Sequence, residues 1–150
     1  MNPAVPPGIV LNATGAQVAY ILSFPGAGMF QDYDSVDWNN NTHSLNAAYQ
    51  VGKSYDLKAG VFGESVNDGA LLQLSLYYRD GAGNKVTVGA TSVVHTVANF
   101  PSTNHLVDCV VCVPVVRPGD AWAGQKSACS FSRRSASHCK AVTGIWTMSA

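Results

Sequence analysis

Charge is scarce in this chain. Asp, Glu, Lys and Arg make up 12% of its 150 residues, about half the share of an average soluble domain. Nine acids balance nine bases, so the net charge is zero. Phosphate backbones are bound by clustered cations, so this balance argues against nucleic acid as a partner. Long apolar runs are also missing. None approaches the roughly 20 residues of a membrane helix, and no membrane span is expected. The opening "MNPAVPPGIV" has neither a basic start nor a long apolar stretch, so no signal peptide is read there. No window holds a 3.6-residue period, which leaves little or no helix. There is no GxSxG, no HExxH and no phosphate loop. Nothing in the sequence supports an enzyme.

What remains is a series of short runs rich in Val, Leu, Tyr and Thr, cut by turn residues at fairly regular spacing. "QVAYILSF" (17–24) reads as a strand ended by "PGAG", and "MFQDYDSV" (29–36) as a second. "HSLNAAYQV" follows and stops at "VGKS". In "YDLKAGVFG", Tyr55, Leu57, Ala59 and Val61 share one face, with Asp56 and Lys58 on the other. "ALLQLSLYYRD" sets Leu72, Leu74, Leu76 and Tyr78 against Gln73, Ser75, Tyr77 and Arg79. The Gly-rich "DGAGN" is a hairpin loop, from which "KVTVGATSVV" pairs back. "HLVDCVVCVPVV" is the last clear strand, stopped by "RPGD". About seven alternating strands predict an all-β, antiparallel two-sheet sandwich. Its core is expected between Leu57, Ala59, Val61, Leu72, Leu74, Leu76, Val107, Cys109 and Val111.

The order "GAQVAYI … FQDY … YQVGKSYDL … LQLSLYYRD … FPSTNHLVD … VRPGDAWAGQ" resembles the galactose-binding-like jelly-roll sandwiches. This fold is shared by many carbohydrate-binding modules and by bacterial surface proteins of the PEP-CTERM type. The likeness covers about Gly15 to Gln125, and "YxVGKSYDL" and "GDAWAG" are its more specific pieces. It implies a jelly roll, a secreted or cell-surface setting, and a non-catalytic carbohydrate-binding-like module. The alternative is a structural or adhesive sandwich without a small ligand, because this fold serves both. It divides the chain into an irregular lead-in (1–14), a sandwich (15–126) and an atypical tail (127–150). Such domains open on a strand like "NGxFE" and close on one like "GYWDLDNVRL", and neither occurs here.

The tail, "SACSFSRRSASHCKAVTGIWTMSA", reads as a frameshifted copy of that ending. Two bases later, the codons from Lys126 onward can spell "IGVQLLSTVGVALQGGYWDLDNVR". Trp146-Thr147 is forced to give Asp. On this reading "SFSRRSASHCK" forms no regular strand, is poorly ordered up to about Lys140, and can be deleted at a cost within about 1 kcal/mol. A sandwich lacking its terminal strands has open edges, through which a second copy can associate.

Sugar recognition stacks an aromatic face on the C–H side of a ring, with polar neighbours bonding its hydroxyls. The ligand-binding candidates are Tyr33, Trp38, Tyr77 and Arg79, with a glycan as the expected partner. Trp122 in "DAWAG" reads as core. Cys109 and Cys112 are formally a CxxC. A redox pair wants a helix N-terminus, and three residues apart on a strand they face opposite sides. That makes one a core thiol and the other a surface thiol. An oxidising setting would allow a Cys129–Cys139 disulfide. His43, His95, His105 and His138 lack ligand spacing to one another. Asp32 and Asp34, on one face if "QDYDSVDW" is a single strand, suit a solvated face or a calcium contribution. The family's calcium sites draw on the missing terminal strands, so the resemblance implies no metal. No cofactor is expected.

Overall fold

The computed structural model describes residues 26–36, 39, 41–44, 47–61, 69–101 and 105–135. The strand expected over 17–24 lies outside these residues. Among them there is no helix and there are eight strands: β1 (Gly28–Gln31), β2 (Asp34–Val36), β3 (Thr42–Ser44), β4 (Tyr55–Val61), β5 (Leu71–Arg79), β6 (Lys85–Val94), β7 (Val107–Val113) and β8 (Ala128–Ser135). All pairings are antiparallel. One sheet runs β1-β8-β5-β6, and the facing sheet is β4-β7. β2 and β3 form a separate short pair. The chain is an all-β two-sheet sandwich.

Local chemistry sets the turns. The β5–β6 hairpin is closed by Asp80, whose N–H donates to Asn84 O at 3.0 Å and whose carbonyl accepts from Gly83 N at 2.9 Å. Its carboxylate accepts from the N–H groups of Ala82 and Asn84, an Asx-type closure. Gly83 supplies the left-handed residue, φ 83°. "RPGD", after β7, is closed in the opposite sense, its last residue accepting from its first: Arg117 N donates to Asp120 Oδ2 at 2.7 Å.

Alternation then builds the core. Ala59, Val61, Leu72, Leu74, Leu76, Cys109 and Val111 are buried together, with Leu57 and Val107 packed against them. These are the nine positions expected from the sequence. Phe100, Val113, Cys129 and Phe131 complete the cluster. Each Leu or Val taken fully from water contributes about 1.5–3 kcal/mol. A second cluster joins Tyr49, Tyr78 and Val116 with the partly buried Tyr55 and Trp122, which puts Trp122 in packing, as expected. Cys109 is buried and Cys112 exposed, so the CxxC spans two faces.

The C-terminal expectation is overturned over its first part. Ala128–Ser135 is a regular strand, hydrogen-bonded to β1 on one side and β5 on the other. It is interior to the sheet. Cys129 and Phe131 point into the core while Ser130 and Ser132 face outward. The sequence does alternate here, but Arg133, 3% exposed in register with Leu72, disguises the pattern. The whole side chain is buried, its Nε included, at a position where the residue type reads as surface. Gly28 lets β1 lie close to β8: a Cβ there would meet Phe131 O at 2.4 Å and Ser132 Cβ at 2.9 Å. Residues 136–150 lie outside the described set.

Candidate functional site

The outer face of the four-stranded sheet carries the sequence candidates that fall on β5. Tyr77 and Arg79 share that face, two residues apart, as alternation requires. Both turn to Asp32, just beyond β1. Tyr77 O–H donates to Asp32 Oδ1 at 2.6 Å. Arg79 Nε donates to both carboxylate oxygens at 3.2 and 3.1 Å, and Nη2 to Oδ2 at 2.9 Å. Its Nη1 reaches Gly83 O at 3.0 Å, tying the cluster to the hairpin turn. The strand expected to run from Met29 to Val36 breaks at Asp32 and Tyr33. That break separates Asp32 from Asp34 and releases its carboxylate toward Arg79.

The electrostatics follow from these contacts. Burial raises the Asp32 carboxyl, but hydrogen bonds from Arg79 and Tyr77 and the charges of Arg79 and Lys85 outweigh it. The net pKa is below the ordinary carboxylate value. Burial, then the Asp32 hydrogen bond and charge, push the Tyr77 phenol well up. A carboxylate depressed in the folded state stabilises the fold above its unfolded pKa, near 4. That stability is lost as pH falls through the folded value. The expected result is that Asp32→Asn lowers stability by about 1–3 kcal/mol at pH 7. The variant should also have a flatter stability curve below about pH 4 than the parent. Urea titrations at pH 7 and pH 3 check this; equal losses at both would contradict it.

A cation caps the Tyr77 ring. Lys85 Nζ is 4.5 Å from its centroid and Arg79 Cζ is 5.8 Å away. The same ammonium donates to Ser130 Oγ and to Ser75 Oγ at 3.3 Å, and the two hydroxyls are 2.7 Å apart. Burial lowers the Lys85 pKa, followed by repulsion from Arg134 and Arg79; the charge of Asp32 partly opposes this. Tyr77 is fully buried under these groups, so a sugar ring has no access to its face here. Tyr33 is half-buried, with Lys126 Nζ 4.4 Å from its ring centroid. Trp38 lies outside the described residues.

One exposed aromatic was missed in the sequence. Phe30, 68% exposed, sits on β1 directly opposite Ser130, which is itself opposite Ser75. The next rung on this face joins Gly28, Ser132, Gln73 and Ser92, and Gln73 Nε2 donates to Ser92 Oγ at 3.4 Å. The result is an aromatic ring beside a row of hydroxyls and an amide. In "MFQD" either Met29 or Phe30 could have faced the core. The pairing with β8 decides it, placing Met29 against the core.

The remaining candidates lie elsewhere. His95 is buried and stacks on Phe100 at 4.7 Å, His105 is exposed, and His43 is on β3. Cys129 is a buried free thiol, while Cys139 and His138 lie outside the described residues. Among the described residues, no three His, Cys, Asp or Glu side chains converge as a metal site would require. Among the described residues, no helix is long and apolar enough to cross a membrane. No family model, curated protein or solved structure matches the chain.

Proposed function

We propose that this chain is a non-catalytic carbohydrate-binding-like module of a secreted or cell-surface bacterial protein, built as a galactose-binding-like jelly roll. The observation that carries the reading is Phe30. It is a large aromatic side chain, 68% exposed, on an outer sheet face whose next rung carries Ser132, Gln73 and Ser92, while Ser130 and Ser75 on its own rung are buried. Aromatic side chains with a few convergent polar groups suit amphipathic ligands that have one apolar and one hydroxylated side. Phe30 takes over the stacking role expected of Tyr77. Tyr77 and Arg79 become the support beneath, and Tyr33 stands as a second aromatic near Asp32. The test is a glycan array followed by titration calorimetry. A bound glycan should lose about tenfold or more in affinity with Phe30→Ala, while Tyr77→Phe should mainly lower stability.

A structural or adhesive sandwich without a small ligand is the second reading. The observation favouring it is that Asp32, Tyr77 and Arg79 are satisfied by one another. Absence of binding to every arrayed glycan would select it. The frameshift belongs to the same proposal. Coding DNA in which no single-base change near Gln125 restores that string would reject the frameshift.

A further inference from the structure

The strand that carries the exposed ring is tied down from beyond its own ladder. The pairing of β1 with β8 stops at Gln31, the partner of Cys129, so Asp32 follows beside Ala128. Ala128 is in turn the partner of Tyr77 on β5. The Asp32 carboxylate thus reaches across β8 to Tyr77 and Arg79. Ala128 is small enough to let it pass, and is 1% exposed although alternation sets it on the outward face with Ser130 and Ser132. Arg79 gives the carboxylate three bonds. This charge-assisted fork fixes direction as well as distance. Nη1 of the same guanidinium is held by Gly83 O, so the anchor is itself fixed to the β5–β6 turn. Phe30 stands two residues before Asp32. Its ring is 68% exposed and buries little surface of its own to hold β1.

Resting on the carbohydrate reading, we infer that Asp32 is a positioning residue for the Phe30 platform: its ion pair with Arg79 latches β1 across β8 to β5, so that β1 opens only with the whole domain and the ring stays in place for a sugar. Asp32 acts through Phe30 and does not touch the ligand. Without the latch, β1 becomes a local unit that leaves β8 while β5, β6 and the β4-β7 sheet stay folded. Order imposed on the strand in advance is order that binding need not supply.

The experiment is amide exchange on the full chain, read as the rate for Gly28–Gln31 relative to that for Leu72–Tyr77 in the same protein. In the parent the two should be equal. In Asp32→Asn, and in Arg79→Lys, which keeps the charge but loses the fork, β1 should exchange about tenfold or more faster than β5. Leu57→Ala, a substitution against the core from the other sheet, should speed both alike and leave the ratio unchanged. Tyr77→Phe keeps the fork and should also leave the ratio unchanged. A melting curve for each variant confirms that it is folded. A ratio that stays at its parental value in both Asp32→Asn and Arg79→Lys would overturn the inference. Affinity electrophoresis in gels of galactomannan, xylan or dextran reads the consequence for binding. In a gel that retards the parent, Phe30→Ala and Asp32→Asn should each weaken retention about tenfold, and the double variant should be no weaker than Phe30→Ala alone. Losses that add would mean that Asp32 touches the sugar itself, and would overturn its positioning role. A changed exchange ratio with no gel retarding the parent would keep the latch and, with a blank glycan array, remove the carbohydrate reading.

Discussion

A chain ending at Gln125 is expected to lose its cooperative unfolding transition altogether. β8 is bonded on both edges, to β1 and β5. Its removal strips hydrogen bonds from two strands at once and detaches β1 from the sheet. It also uncovers the core layer of Leu74 and Leu76, against which Phe131 and Cys129 are in register. Buried backbone groups left without partners, together with lost apolar burial, outweigh the 5–15 kcal/mol by which a domain of this size is ordinarily stable. Circular dichroism on heating should show a gradual drift in place of a sigmoid. A cooperative melt within a few degrees of the parent would show that the strand is dispensable.

The second large effect lies at the centre of the same layer. Phe131 and Leu74 face each other across the β5–β8 ladder, 6% and 4% exposed. Phe131→Ala should cost about 3–5 kcal/mol and Leu74→Ala about 2–5 kcal/mol, from lost transfer energy plus the cavity left behind. Because the two side chains share one contact, the double variant should be less destabilised than the sum, by about 0.5–3 kcal/mol. Chemical denaturation of the four proteins measures this cycle. A cost below about 1 kcal/mol for Phe131→Ala would place its ring outside the core.

The periodic parts of the fold were legible in the sequence. β5 announces itself because Leu72, Leu74 and Leu76 alternate with Gln73, Ser75 and Tyr77, and "DGAGN" dictates the return of β6. β4 and β7 were each visible, but not their pairing, which joins residues about fifty apart and depends on the whole fold. β8 was misread for a physical reason. "ACSFSRRS" alternates correctly at Cys129 and Phe131, but an arginine at the next inward position signals solvent. Only the surrounding packing, which buries the whole of Arg133, reverses that signal. The candidate site divides similarly. Alternation alone put Tyr77 and Arg79 on one face. Their partner Asp32 comes from 45 and 47 residues away, by way of a strand break at Asp32 and Tyr33 that the turn-forming aspartates of "QDYD" could have signalled. The cation over the Tyr77 ring, which removes Tyr77 as a stacking surface, comes from the far side of the hairpin. Phe30 emerges as the exposed ring only once β1 is registered on β8.

Core and candidate site therefore depend on the same strand. β8 contributes Phe131 inward and, on its other face, Ser130, which is the cross-strand neighbour of Phe30 and accepts from the ammonium of Lys85. Amide hydrogen exchange resolved along Ala128–Ser135 tests this most directly. If β8 is the inner strand of the sheet, its ladder amides should exchange as slowly as those of Leu72 to Tyr77, through the opening of the whole domain. Exchange at the rate of an unstructured peptide, with β5 still protected, would show that the sheet is closed without this segment and would contradict both the fold and the site built on it.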